Sequence, residues 1–159
     1  MPDALLPQPT CYFLAAGAAE GWTALNAFDC ALLNAGIGDV NILKMSSIIP
    51  PACRRIERFQ LPYGALVPAA YAAHISTEPG ERIAAGVAVA MPKDSSLPGL
   101  IMEYEGRGTR ADIEEHVREM ARRGMEARGR AIKNIESVAI EHKVQAIGAI
   151  IAAVVLWRG

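Results

Sequence analysis

The stretch "GDVNILKMSSIIPP", Gly38–Pro51, decides how this chain must be read. Its run of Val, Ile, Leu and Met residues predicts a buried strand, which Pro50 and Pro51 must end because proline has no N–H to give to a ladder. Two adjacent serines, Ser46 and Ser47, sit inside it. Successive side chains of a strand point to opposite faces, so each hydroxyl needs its own partner. The local pattern leaves two readings open. Either this is an ordinary strand end with two satisfied hydroxyls, or the Ser46–Ser47 peptide bond is where chemistry occurs.

Upstream, "CYFLAAGAA" from Cys11 reads as a first strand that stops at Gly17. "GWTALNAFDCALLNAG" reads as a helix with Thr23 as N-cap, an apolar stripe of Leu25, Phe28 and Leu32, and Gly36 as its stop. Downstream, "GALVPAAYAAHIS" and "ERIAAGVAVAMP" are strand candidates joined by the turn "TEPG", and "PGLIMEYEG" is a short strand. "TRADIEEHVREMARRGMEARG" is a second helix, with Thr109 and Asp112 as a capping pair and Ile113, Val117 and Met120 as its stripe; its charges form a solvated face. "IESVAIEHKV" and "IGAIIAAVVLW" supply the last strands. The expectation is a pair of helices and about six strands. These strands are too continuously apolar for a sheet with one wet face, so stacked sheets flanked by helices are expected: α+β, in a single domain over residues 1–159.

The 159 residues carry a net charge of −1, which gives no electrostatic case for nucleic acid or an anionic membrane. The first third holds Asp3, Glu20, Asp29 and Asp39 against Lys44 alone, a balance suited to a small cationic ligand. Cys11, Cys30 and Cys53 form no C-x-x-C pair, which favours a reducing compartment over a disulfide scaffold. His74, His116 and His142 lack metal-ligand spacing, so no metal is expected. "MPDALLPQPT" does not read as a signal peptide, and "AIGAIIAAVVLW" is shorter than the about 20 residues a membrane helix needs. A cytoplasmic protein is expected.

Glu103 and Glu105 in "LIMEYEG" would share one strand face about 7 Å apart, with Met102 and Tyr104 on the other. Crowding and desolvation raise a carboxyl pKa, as a proton-donating acid requires; the alternative is a strand end in water. No G-x-S-x-G elbow surrounds Ser46 or Ser47, so a serine hydrolase fits poorly. A serine hydroxyl can instead attack the carbonyl of the residue before it, giving an ester that elimination then cleaves. Gly36 and Gly38 in the preceding turn, and Asn41, are candidates for supplying the geometry and an oxyanion partner.

"LNAFDCALLNAGIGDVNILKMSSIIPP", "GALVPAAY", "PGERIAAGVAVAMPKDSSLPGLIMEYEG", "REMARRGMEARG" and "IESVAIEHKV…AAVVLW" together resemble the pyruvoyl-dependent arginine decarboxylases, from Cys11 to Trp157. The resemblance implies a four-layer αββα sandwich. It also implies a proenzyme that cuts itself into a β chain, residues 1–46, and an α chain, residues 47–159, with Ser47 becoming the pyruvoyl group. That covalent group, with no metal and no pyridoxal phosphate, would form a Schiff base with L-arginine and release CO2 and agmatine. Glu103 matches the catalytic acid and Asn41 a position used in processing and catalysis. Asp29 matches a carboxylate on the substrate side, suited to a bidentate guanidinium pair, and the backbone around Leu32, Ser46 and Ile48 would complete the pocket. The family assembles as trimers of αβ protomers, or dimers of trimers, with active sites between neighbours. The competing expectations are a pyruvoyl enzyme for another amino acid and an uncut, non-catalytic homologue that serves as an assembly partner.

Overall fold

The computed structural model describes residues 6–159; the opening MPDAL, part of the stretch read against a signal peptide and the site of Asp3, lies outside the described residues. In chain order the elements are β1 (Cys11–Glu20), α1 (Ala24–Ala35), β2 (Asn41–Lys44), β3 (Ile48–Ile49), β4 (Arg54–Arg55), β5 (Leu66–Ser76), β6 (Arg82–Pro92), β7 (Gly99–Arg107), α2 (Arg110–Ala127), β8 (Ile132–Lys143) and β9 (Gly148–Trp157). They form a five-stranded sheet, β2-β5-β9-β1-β4, and a four-stranded sheet, β3-β7-β6-β8.

Three apolar layers hold four structural layers together. Between the sheets lie Tyr12, Ile49, Ala72, Val87, Ile101 and Val154 with their neighbours. Ala27, Ala31 and Ala35 of α1 pack on the outer face of the five-stranded sheet against residues such as Ile151 and Val155. Val117, Ala121 and Met125 of α2 cover the four-stranded sheet through Ala88, Ala90 and Leu100. The architecture is α+β, with stacked sheets flanked by helices, as the apolar strands predict. β9 shows why they must be apolar throughout: Ile150, Ala152 and Val154 face the second sheet while Ile151, Ala153 and Val155 face α1. The apolar C-terminal run is thus a buried strand, and among the described residues no helix is long and apolar enough to cross a membrane.

Both helix caps form as expected. The Thr23 hydroxyl accepts from the Asn26 N–H and the Thr109 hydroxyl from the Asp112 N–H, each at 3.2 Å, and Gly36 ends α1 at φ 79°. The helix faces differ from the expected stripes. Leu25 is 74% exposed, because α1 turns its alanines to the sheet, and α2 continues its buried face through Ala121 and Met125, not Met120. Gly17 explains the first difference and corrects the first strand's end. A Cβ at Gly17 would lie 2.2 Å from the Ala31 carbonyl oxygen, so α1 sits so close to β1 that only alanine fits beneath it. Gly17 is a close-approach site inside a strand that runs on to Glu20.

The largest correction concerns Gly38–Pro51. It is not one strand but two, in different sheets: β2 pairs parallel with β5, and β3 pairs antiparallel with β7. The chain crosses from one sheet to the other between Lys44 and Ile48. A further short strand, β4, then pairs parallel with β1.

Candidate active site

Ser46 and Ser47 are the crossover. The chain leaves the first sheet through a hydrogen bond from the Met45 N–H to the Ala69 carbonyl at 3.0 Å. It enters the second where the Ile101 N–H donates to the Ser47 carbonyl at 2.7 Å. Among the described residues the backbone of Ser46 has no backbone partner, so the Ser46–Ser47 bond has a fixed carbonyl on one side and an unladdered residue on the other. Ile49, fully buried against the inter-sheet core, pins the downstream side, while Ile48 stays 40% exposed.

The same hydrogen bond places the carboxylates. Glu103 lies two residues beyond Ile101 on β7, and so on the same, inter-sheet face. Met102 and Tyr104 face the other way, as expected: Met102 packs into the α2 layer and the Tyr104 ring lies tilted against His116 with centroids 4.4 Å apart. The two glutamates then diverge. Glu105 is exposed, with Oε2 3.3 Å from Nδ1 of His74 on β5. Glu103 is half-buried, and burial pushes its carboxyl above the ordinary range, against the opposing charge of Lys44.

A cleft of about 210 Å³ opens here, lined among others by Lys44, Tyr71, Ala72, Ala73, Glu103 and Glu105. It exists because β2 is short: β5 is paired with β2 only as far as Ala69, and beyond that its edge is bare. The Lys44 ammonium donates to the Tyr71 carbonyl on that edge at 3.1 Å and sits 4.3 Å from the centroid of the Tyr71 ring. Neither Lys44 nor Tyr71 is a site residue by sequence. The only signal was a basic residue closing an otherwise acidic third of the chain.

The other expected residues are placed elsewhere. Asn41 begins β2, and its Nδ2 donates to the Gly64 carbonyl at 3.1 Å. Asp29 is exposed on α1, and Leu32 packs in the layer between that helix and the sheet. α1 lies on the outer face of the five-stranded sheet and Glu103 faces its inner side, so one chain does not bring Asp29 and Leu32 to the cleft. Gly36 serves the α1 cap, and Gly38 lets the chain pass Leu33, where a Cβ would approach to 2.6 Å. Both are spent on the turn and not on the serine pair. A larger cleft of about 340 Å³ is lined by residues that include Tyr12, Cys53, Arg54, Arg55, Lys93 and Lys133. Burial holds its Tyr12 up at about 12 and its Cys53 up at about 11, so both stay neutral near pH 7.

The crossover, the fixed carbonyl and the elevated carboxyl all lie within a segment that known proteins share. The profile of the pyruvoyl-dependent arginine decarboxylase family matches residues 11–158. The pyruvoyl-dependent arginine decarboxylase of Methanocaldococcus jannaschii is 54% identical over 149 residues, covering 94% of this chain and 90% of that protein. The Methanococcus vannielii protein of the same name is 48% identical, covering 94% of this chain and 91% of its own length. That of Pyrococcus abyssi is 41% identical, with coverages of 94% and 96%. This chain belongs to the pyruvoyl-dependent arginine decarboxylase family.

Proposed function

We propose that this protein cuts itself between Ser46 and Ser47 and then decarboxylates L-arginine to agmatine. The observation that carries the reading is the crossover itself: the Ser47 carbonyl is held by β7 two residues before a half-buried glutamate. Cleavage begins with attack of the Ser47 hydroxyl on the Ser46 carbonyl, which turns the amide into an ester. Loss of the Ser47 α-proton then breaks the Cβ–O bond, frees residues 1–46 with a Ser46 carboxylate, and leaves a terminus that takes up water and releases ammonia to give the pyruvoyl group. The residues fit that group. The carbonyl of Ser47, which would adjoin the ketone, is already fixed by Ile101, and the segment on its other side is free of either ladder.

When formed, the pyruvoyl group supplies the electron sink for loss of CO2. The chain's own residues do the rest. Glu103 keeps its proton at a pH where an exposed glutamate would have lost it, and gives that proton to the carbon that lost CO2. Asp29 pairs with the guanidinium, and the backbone around Leu32, Ser46 and Ile48 completes the pocket. Asn41 orients the segment that leads to the cut.

Asp29 and Glu103 lie on opposite sides of one sheet, so the reading needs two copies: the α1 face of one protomer meets the crossover and the Glu103 cleft of its neighbour. A trimer of αβ protomers, alone or paired, provides such contacts. The exposed Trp22, Leu25 and Leu33 on and beside α1 and the exposed Ile48 just after the crossover supply apolar surface for them. We place the protein in the cytoplasm, where its three free thiols stay reduced.

The test is a panel of amino acids given to the purified, processed protein. Agmatine and CO2 from arginine, with lysine and ornithine turned over far more slowly, is the expected result. Faster release from another amino acid would overturn the substrate assignment.

A further inference from the structure

Lys44 is tied down more firmly than a surface lysine. It ends β2, where the neighbouring strand's edge becomes bare, and it spends a hydrogen bond on the Tyr71 carbonyl at 3.1 Å while stacking over the Tyr71 ring. That anchor keeps it apart from Glu103: the two line one cleft, yet no ion pair within 4.0 Å joins them.

The charged surroundings of Glu103 are few. On its own strand there is Glu105, engaged with His74 of β5, and then Arg107, engaged with Glu81. β5 brings Tyr71 to the cleft at its bare edge, with the ring packed on the outer layer, and β6 presents Val87 opposite Glu103. The α2 side carries His116 against Tyr104, on the opposite face of β7. Among the described residues, Lys44 is the one cation that lines the cleft.

A half-buried carboxyl without a hydrogen-bond partner holds its proton well but yields it poorly. The carboxylate left behind would be a partly buried charge with nothing to offset it. A lysine in direct contact would err the other way and keep the group ionised. We propose that Lys44 is a positioning residue for the acid: its ammonium, moored on the bare edge of β5, sets how tightly Glu103 holds its proton and steadies the carboxylate that remains once the proton has moved to the substrate carbon. Glu103 then recovers a proton from water. The mooring matters as much as the charge, because the Tyr71 carbonyl and ring hold the ammonium near the carboxyl without letting it close.

The inference rests on Glu103 as proton donor, but its first readout does not. Processed protein, with both chains present and glutamate labelled with ¹³C at the carboxyl, is titrated by NMR, with the Glu103 signal identified by its loss in Glu103→Gln. Lys44→Met is expected to move the Glu103 midpoint to higher pH, and Lys44→Arg to leave it near the native value. Tyr71→Leu, which loosens the mooring, is expected to move it to lower pH. The alkaline limb of kcat should follow these shifts. A Lys44→Met midpoint that does not rise, or a Tyr71→Leu midpoint that moves upward as well, would overturn the proposal. So would failure of Lys44→Met to cut itself, which would place Lys44 in processing. Native protein that fails to make agmatine would sink the substrate assignment alone, since the titration would still decide the role of Lys44.

Discussion

Two half-buried glutamates stand at opposite edges of the same inter-sheet layer, and the chain treats them in opposite ways. Glu20, at the end of β1, bridges the sheets by meeting His142 of β8 at 2.6 Å. Its other oxygen accepts from the Gln145 and Ala146 N–H groups at 3.1 and 2.7 Å. Partial burial works against its ionised form, but the Ala146 N–H, His142 and the Gln145 N–H outweigh that and hold its carboxyl below the ordinary range. Glu103, on β7, has no hydrogen-bond partner among the described residues, and burial pushes it the other way. A carboxylate with three partners closes a corner. One left without partners, and with a cation held at a distance, keeps a proton that it can give away.

That contrast is open to direct attack by substitution. Ser47→Ala removes the hydroxyl that starts the cleavage, so the chain should stay whole and inactive; a cut chain in this variant would show that the nucleophile lies elsewhere. Glu103→Gln should leave processing intact and lower kcat by about 10²- to 10⁴-fold, the usual contribution of a positioned acid. Near-native turnover would remove Glu103 from the proton transfer. Asp29→Ala should raise KM for arginine by roughly ten- to a hundredfold, with little change in cleavage, as loss of a charge-assisted pair implies. A processing defect with unchanged KM would mean that α1 does not meet the substrate.

Glu20→Gln is the control. It should cost about 1–3 kcal/mol in denaturant unfolding while kcat stays near native, since it breaks a hydrogen-bonded corner remote from the cleft. A collapse of kcat at native stability would erase the distinction between the two glutamates. The pH dependences should also run in opposite directions. Because the folded-state pKa of Glu20 is depressed, its contribution is present above the unfolded value and is lost as pH falls through the folded one, so it should appear as acid lability. The pKa of Glu103 is raised, so activity that needs its protonated form should fall on the alkaline side, at a pH above the ordinary carboxylate range.

Much of this was legible in the residues. Thr23, Gly36 and Thr109 marked helix ends through capping chemistry that acts within one turn, and the period of two placed Glu103 and Glu105 on one face. The unbroken apolarity of β9 required cover on both sides, which gave the stacked sheets. The sheet switch at Ser46–Ser47 was not legible as such. Its flanks, Ile42–Leu43 and Ile48–Ile49, are equally apolar, and only long-range pairing with β5 and β7 tells them apart. The alanine face of α1 was hidden for a related reason: a larger apolar stripe was present, and the close approach at Gly17 overrode it. Lys44 was missed because its meaning depends on where β2 stops against β5. The positions of Asp29 and Glu103 across one sheet depend likewise on packing and not on spacing.

The most direct measurement is the intact mass of the purified protein under denaturing conditions. The account predicts two chains divided after Ser46, with the longer one lighter by one ammonia than a plain Ser47 terminus would make it. A single uncut chain, or a longer chain that retains an ordinary serine terminus, would contradict it.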